Sequence, residues 1–347
     1  MRKKKSEDSS GEPREEIHSI VDDLSLRLGK YFEFTPIEMH SLGERMRLPA
    51  STTTGRTDTS HLLEFLNGVR SLRIRGTRGY IGTSNIISNS LSMSIASCKS
   101  LMALWLIDCD VRRLTDYGHL RNKLRRLVVH YSMHKCKDLL SSDSSSLPWS
   151  TLDDIDFSFN QLTELDESMS LLPEVKNLSM THNQLRDIGV FLMDLHSLVE
   201  LDLSHNKIEH VERWNERMGN LKVLNLAGNR ITSLEGLSKS YALEGLDVSN
   251  NLLQSAEAIC WVGGLPNLEE IRTEGNPVCG IPEYRTTFLE AFGDRAHEVI
   301  LDGVKCSSRE KNTIGVRRAL KKADEERERL REQQEKYLNG EASTPVP

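Results

Sequence analysis

The stretch Leu221-Lys222-Val223-Leu224-Asn225-Leu226-Ala227-Gly228-Asn229-Arg230-Ile231 decides the fold of this chain. It contains the pattern LxxLxL, followed by an asparagine and a further apolar residue. Alternation of apolar and polar residues is typical of a short β-strand with one buried face. The asparagine side chain can satisfy backbone groups at the bend that follows the strand.

The same pattern occurs six times along the chain. The copies are Leu152, Ile155, Phe157, Asn160, Leu162; Val175, Leu178, Met180, Asn183, Leu185; Leu198, Leu201, Leu203, Asn206, Ile208; Leu221, Leu224, Leu226, Asn229, Ile231; Leu243, Leu246, Val248, Asn251, Leu253; and Leu268, Ile271, Thr273, Asn276, Val278. Successive asparagines are 23, 23, 23, 22 and 25 residues apart. This period is within the range of leucine-rich repeats, about 20 to 29 residues.

The sequence therefore predicts an α/β leucine-rich-repeat solenoid, with a curved parallel sheet on its concave face and short helices or 3-10 turns on its convex face. Weaker copies precede the regular ones. They are Val69, Leu72, Ile74; Leu101, Leu104, Leu106, Cys109, Val111; and Leu124, Leu127, Val129, Ser132. Cysteine is an accepted substitute for asparagine in such repeats. The irregular spans 75–100 and 132–149 are predicted to be surface loops or looser convex segments.

The domain boundaries follow from this repeat pattern and from changes in composition. We predict disordered tails at 1–16 and 340–347, a helical N-terminal segment at 17–61, a solenoid at 62–306 and a charged helix at 307–339. Within the solenoid, the regular repeats cover 152–278 and a C-terminal cap covers 279–306. The N-terminal segment is expected to form one amphipathic helix from Ile17 to about Arg47.

The charged helix leaves two interpretations open. Val316, Ala323, Leu330 and Tyr337 are seven residues apart, as in a coiled coil, but the companion positions are mostly polar. A solvated helix held by charge pairs four residues apart is the favoured interpretation. The expected state is a monomer, or a weak association through this helix.

Composition narrows the class of protein. The 347 residues carry a formal net charge of -6, which argues against a nucleic-acid partner. The six cysteines are scattered, as expected for reduced thiols in the cytoplasm. The first residues are charged and lack the apolar region of a secretory signal, and we expect membrane contact to be indirect or through the basic run Arg2–Lys5.

The residues beside each buried strand position are predicted to face a protein partner from the concave sheet. In the regular repeats this set is mainly acidic, with Arg272 its only base. Its members are Asp154, Asp156, Glu200, Asp202, Asn225, Asp247, Glu270, Arg272 and Glu274. The partner is therefore expected to be basic or charge-polarised. Three of these residues, Asp156, Asp202 and Asp247, occupy the polar position of the LDLS-type strands. They can instead serve solubility or hydrogen bonds to neighbouring strands.

The earlier strands are more basic and apolar. Trp105 and Ile107 are expected to be exposed there as hydrophobic anchors, because aromatic residues are enriched in interface hot spots.

The sequence shows no sign of catalysis. It lacks GxxxxGK[ST], GxGxxG after a strand, HExxH and GxSxG. His182 and His205 are expected one repeat apart at the strand ends, but no further ligands recur beside them, so no metal site is predicted. We therefore expect a protein that is not an enzyme and that has no cofactor.

About half of the chain resembles the nischarin family of leucine-rich-repeat scaffolds. The resemblance is carried by Leu165–Ser168, Leu224–Asn229, Ser233–Leu237, Ile281–Thr286, Phe292–Ala296 and Glu298–Val299. It implies a cytoplasmic scaffold, in part endosomal, that engages Rac and Rab GTPases, p21-activated kinase and an integrin α-subunit tail in the control of cell migration. Members often carry a lipid-binding PX domain, which we do not expect before the repeats here.

Two alternatives remain open at this stage. One is a leucine-rich-repeat regulatory subunit of a protein phosphatase or kinase. The other is a cytoskeletal or ciliary scaffold that uses the charged C-terminal helix.

Overall fold

The computed structural model describes residues 31–47, 60–77, 79–141, 147–192, 195–212, 214 and 218–341. The predicted disordered tail at 1–16, the first part of the predicted N-terminal helix and the last six residues lie outside these ranges. The chain divides into two compact units. Unit 1 contains the residues up to Gln161 and Leu171–Glu174, and unit 2 contains Leu162–Ser170 and the residues from Val175 onward.

Unit 1 is built on a parallel sheet in the order β1-β2-β4-β6-β7, and β3 and β5 form a separate parallel pair. The strands are β1 Phe32–Phe34, β2 Ser71–Arg75, β3 Met93–Ser94, β4 Ala103–Ile107, β5 Leu114–Thr115, β6 Arg126–His130 and β7 Asp154–Asp156. The helices are α1 Pro36–Arg47, α2 Ser60–Gly68 and α3 Lys137–Leu140. Leu72, Leu104, Leu127 and Ile155 lie opposite one another across the sheet and are buried. The weak upstream repeats thus share the register of the first regular one.

The single helix expected from Ile17 to about Arg47 is wrong over its described part, because β1 interrupts it before α1 begins. Alternating Phe-Glu-Phe favours a strand. Thr35 then ends the strand and caps α1: its backbone N–H and hydroxyl donate to the Glu38 carboxylate at 2.7 and 2.9 Å, and its hydroxyl accepts from the Glu38 N–H at 3.4 Å. With Pro36 as the first helical residue, this is a capping box.

Unit 2 continues the repeat with six parallel strands and a final antiparallel one. The strands are β8 Asn177–Ser179, β9 Glu200–Asp202, β10 Val223–Asn225, β11 Gly245–Asp247, β12 Glu270–Arg272, β13 Ile300–Leu301 and β14 Val304–Lys305. The helices are α4 Ala256–Cys260, α5 Tyr284–Glu290 and α6 Ser308–Glu341. The central residues of β8 to β12 are 0–3% exposed, so one apolar column runs through the unit.

The asparagine ladder holds neighbouring repeats together. The Asn206 Oδ1 accepts from the Leu185 N–H at 3.0 Å, and its Nδ2 donates to the carbonyls of Met180 and Leu203, both at 3.0 Å. Asn229 repeats this pattern one turn later. Each buried amide thus satisfies backbone groups of two repeats, as the sequence predicted.

The residues after the last repeat close the apolar column. The Asp302 carboxylate accepts from the Thr273 backbone N–H at 2.7 Å and from the Tyr284 hydroxyl. Burial of Tyr284, followed by its hydrogen bond to Asp302, raises the pKa of the phenol. This network lies in the segment where the sequence predicts the cap, whose boundaries remain predictions.

Helix α6 begins against this segment. Ile314 is buried, Arg285 pairs with Glu310 at 3.1 Å, and Arg318 pairs with Asp294 at 2.6 Å. The opposite side of the helix is solvent-exposed, as Val316 and Leu320 show. Among the described side chains of α6, those that pack against the residues after the last repeat therefore lie near its start.

Candidate protein-binding face

The open face of unit 2 is the sheet surface formed by the residues on either side of each buried strand centre. It consists of Asn177, Ser179, Glu200, Asp202, Val223, Asn225, Gly245, Asp247, Glu270 and Arg272, continued by Glu274. The strand centres are buried while their neighbours are half-buried or exposed, and Val223 is 42% exposed. A partner can therefore reach this surface.

The strand register gathers the predicted acidic residues. Glu200 lies opposite Val223, and Asp202 lies opposite Asn225. Asn225 in turn lies opposite Asp247. Because adjacent strands are about 4.8 Å apart, Asp202 and Asp247 are on the order of 10 Å apart with Asn225 between them. The register therefore brings these residues together on one surface, and their role in binding a partner stays a prediction.

Each aspartate of this column also has a structural role. Oδ1 of Asp202 accepts from the Ser204 backbone N–H at 2.9 Å, and Oδ1 of Asp247 accepts from the Ser249 N–H at 2.9 Å. Asn225 makes the same bond to Ala227 at 3.1 Å. These bonds stabilise the bend after each strand. The alternative interpretation, that these aspartates form structural hydrogen bonds, therefore holds for Oδ1 of both carboxylates, which bond within their own repeat. It also holds for Oδ2 of Asp202, which accepts from Asn225 Nδ2 on the neighbouring strand at 3.1 Å.

The charge of the open face is unbalanced. Its one base, Arg272, is paired with Glu270 on the same strand at 2.9 Å, and that bond raises the pKa of Arg272. The carboxylates of Glu200, Asp202, Asp247 and Glu274 have no ion pair among the residues that the structure describes. The face therefore presents four carboxylates outside ion pairs, and Arg272 acts on two of them, Asp247 and Glu274, only at longer range.

Asp154 and Asp156, which were predicted to join this acidic set, are compensated in unit 1. Arg126 lies 3.2 Å from Asp154, and His130 lies 2.9 Å from Asp156. Burial alone would raise the pKa of Asp156, but the hydrogen bond and charge of His130 outweigh it and lower that pKa. These two carboxylates therefore offer little free charge to a partner.

The expectation that Trp105 is an exposed anchor is wrong. Its side chain is 2% exposed and packs with Ala103 and Val128, with Tyr31 against them. Ile107, at the end of the same strand, is half-buried and lies opposite His130. The alternation of the sequence identified the face of the sheet, but it contained no signal that further chain lies on it.

One pair of side chains at the strand ends was only partly foreseen. His182 and His205 stack with ring centroids 4.3 Å apart, and burial together with the charge of His205 lowers the pKa of His182. Gly228, one repeat further, leaves room for the ring, because a Cβ there would lie 2.7 Å from the His205 Nδ1. Within the described ranges no three His, Cys, Asp or Glu side chains are grouped to hold a metal ion.

Comparison with known families identifies the repeat. Two leucine-rich-repeat family models match, one described as Leucine Rich repeats (2 copies) over residues 219–261 and one as Leucine rich repeat over residues 187–231. Repeats of this kind are typical of protein-interaction scaffolds, and neither family is catalytic. No helix in the described part of the chain has the length and apolar character needed to cross a membrane.

Two curated relatives have the name Serine/threonine-protein kinase 11-interacting protein. The mouse protein is 38% identical over 213 residues and the human protein is 35% identical over 213 residues. Each match covers 59% of this chain and 20% of the relative, so the chain spans about a fifth of the relatives' length. An internalin (inlF) from Listeria monocytogenes is structurally similar, with a TM-score of 0.44, 19% identity and coverage of 63% of this chain and 65% of its own.

The repeated strand register, the asparagine ladder and the matching repeat families confirm the predicted leucine-rich-repeat solenoid. The chain is a leucine-rich-repeat protein.

Proposed function

We propose that this chain is a non-enzymatic scaffold that binds a protein partner through the open face of unit 2. The observation that carries the proposal is the group of four carboxylates around the exposed Val223. A basic partner is attracted to such a surface at long range, and an apolar group in its centre provides desolvated contact area. The same carboxylates disfavour an acidic partner.

The partner that we propose is a serine/threonine protein kinase. The support is the name of the mouse and human relatives, which describes them as interacting with such a kinase. The narrower set of Rac and Rab GTPases, p21-activated kinase and an integrin tail rests on the nischarin resemblance alone and stays a prediction. The cytoplasmic location, the phosphatase-regulator role and the ciliary role also stay predictions.

The test immobilises this protein and measures the binding of purified mouse serine/threonine-protein kinase 11. The measurement is made at about 50 and at about 200 mM salt. We expect saturable binding that weakens at the higher salt, because the Debye length shortens from about 14 to about 7 Å. A variant that removes two of the four charges of the open face, Glu200→Gln with Glu274→Gln, should bind more weakly than wild type. The matched control neutralises two exposed acids outside the strands of unit 2, Glu164→Gln with Glu235→Gln.

Binding with equal affinity by both variants would contradict the proposed face. Absence of binding to the kinase would contradict the proposed partner.

A further inference from the structure

The sheet face of unit 1 is covered, unlike the open face of unit 2. We define the unit 1 face as Ser71, Arg73, Ala103, Trp105, Arg126, Val128 and His130. Arg73, Trp105 and Val128 lie opposite one another on β2, β4 and β6, and they are 4%, 2% and 2% exposed. Val223 of the open face, for comparison, is 42% exposed. Side chains on this face of unit 1 are thus buried as deeply as the core.

Tyr31 accounts for part of this cover. Its ring lies 3.9 Å beneath the Arg73 guanidinium carbon and 6.2 Å from the Trp105 ring, and its hydroxyl accepts from Arg73 Nη1 at 2.9 Å. The central residues of three adjacent strands span on the order of 10 Å. One aromatic ring cannot cover that width, so more of a polypeptide has to lie on the face.

The face also lacks acceptors for buried donors. Nε and Nη2 of Arg73 and Nε of Arg126 are buried and find no hydrogen-bond acceptor among the described residues. A buried donor of a charged group without an acceptor destabilises the fold, because it has lost its hydrogen bonds to water. The missing cover is therefore expected to bring carboxylate or carbonyl oxygens together with apolar side chains.

We propose that residues 15–30 of this same chain dock on the unit 1 face. The segment leads directly into Tyr31, and Leu28 is three residues away, within about 10 Å of extended chain. Its apolar residues, Ile17, Ile20, Val21, Leu24 and Leu28, recur at helical spacing. Arg73 Nη1 already pairs with Glu33 at 3.5 Å, and Arg126 Nη1 pairs with Asp154 at 3.2 Å. Glu15, Glu16, Asp22 and Asp23 can supply further carboxylate oxygens for the remaining donors of the two arginines.

This docking surface is separate from the proposed function, which concerns the open face of unit 2. The residues of the segment lie outside the described ranges, so the inference rests on the burial and unsatisfied donors of the face and on where the chain enters it. The two other possible occupants are a second copy of the chain and a different protein, and the test separates them.

The experiment uses the full chain labelled with 5-fluorotryptophan. Fluorine NMR then reports each of the four tryptophans, and the Trp105→Phe variant assigns the Trp105 signal. The probe is the soluble nitroxide TEMPOL, which broadens the signals of solvent-accessible groups. The test variant is Ile20→Asp with Leu24→Asp, on the proposed docking side of the segment. The matched control, Ser19→Asp with Leu26→Asp, adds the same charge on the opposite side.

We expect Trp105 to be protected from TEMPOL in wild type and in the control. In the test variant we expect its broadening to rise by about tenfold, as a shift to the undocked state requires. Asp22→Asn with Asp23→Asn should give a smaller rise in the same direction. Continued protection of Trp105 in the test variant would overturn the proposal.

The occupant is identified by how the protection of Trp105 depends on protein concentration and by which proteins the purified sample contains. For a segment of the same chain, protection of Trp105 is independent of protein concentration and the protein sediments as a monomer. Protection that is lost on dilution would mean that a second copy covers the face. A co-purifying protein in the intact mass spectrum, lost together with the protection, would assign the face to a different partner. Either result would overturn the proposal.

Discussion

Neutralising Asp202 and Asp247 should weaken partner binding with only a small effect on the fold. The two carboxylates contribute to the charge of the open face, but each also accepts a backbone N–H through Oδ1. Asparagine keeps that acceptor, as Asn225 shows at the same position of the intervening repeat. We therefore choose Asp202→Asn with Asp247→Asn. The half-buried hydrogen bond from Asn225 Nδ2 to Asp202 Oδ2 is lost, so we expect the free energy of unfolding to fall by about 0.5–1.5 kcal/mol.

The expected loss of affinity can be estimated from the charges. A unit charge about 7 Å from an opposite charge at a protein surface, with an effective dielectric constant of about 40–80, contributes on the order of 0.6–1.2 kcal/mol. Loss of two such charges should weaken binding by about 1–2 kcal/mol, or roughly 5- to 30-fold in Kd. At about 0.5 M salt the difference should nearly vanish, because screening shortens the Debye length to about 4 Å.

The assay is calorimetric titration of the kinase into wild type and variant at low and high salt, with urea unfolding measured alongside. Reversal to lysine is a poorer test, because it removes the acceptor for the N–H of Ser204, which is 6% exposed. An unsatisfied N–H of that kind costs about 1–3 kcal/mol, so lost folding and lost binding would be confused. Equal low-salt affinities of wild type and the asparagine variant would refute the assignment of these charges to binding.

Three further predictions concern the fold. Asn206→Ala should lower the free energy of unfolding by about 1–3 kcal/mol in urea titration, because it leaves the Leu185 N–H without an acceptor; a loss below about 0.5 kcal/mol would contradict the ladder. The carbonyls of Met180 and Leu203 lose one of their amide donors but keep a second, from Asn183 and Asn229. Asp156 has a folded pKa below its ordinary 3.8, so its contribution is present above that value and is lost as pH falls through the lower folded pKa. The stability difference between wild type and Asp156→Asn should therefore shrink in unfolding titrations below pH 3.8, and a difference that grows there would show the sign to be wrong. Burial raises the pKa of Cys98 to about 11 and that of Cys109 to about 12, so mass spectrometry should find both unlabelled by iodoacetamide at about pH 8 until urea unfolds the protein, and native labelling would contradict their burial.

The repeat register could be predicted in detail from the sequence. Each LxxLxLxxN segment has its own period-two alternation, and the asparagine fixes the point where the strand ends. The weaker upstream repeats could be predicted too, because they keep the same alternation. At the positions of the missing asparagines, the Cys109 thiol donates to the Ile74 carbonyl at 3.9 Å, and the Ser132 hydroxyl accepts from the Cys109 N–H at 3.0 Å. Small polar side chains can thus replace part of what asparagine does.

Charge compensation was harder to predict, because it depends on which residues lie opposite each other across the weak repeats. Arg126 faces Asp154 in the strand register, so the pair could have been found once β6 and β7 were aligned. The burial of Trp105 could not have been predicted in this way. A pattern of alternating residues shows the face of the sheet on which a side chain lies, but it does not show what covers that face. The start of α1 was missed although Thr35-Pro36-Ile37-Glu38 contains a capping signal.

The most direct test of the binding face is site-specific photo-crosslinking to the purified kinase. The photoreactive amino acid p-benzoylphenylalanine is placed either at Val223, in the centre of the open face, or at Tyr241, which is 57% exposed and lies outside the strands. Our account predicts a crosslinked complex from position 223, suppressed by high salt, and none from position 241. A crosslink from position 241 with none from position 223 would contradict it.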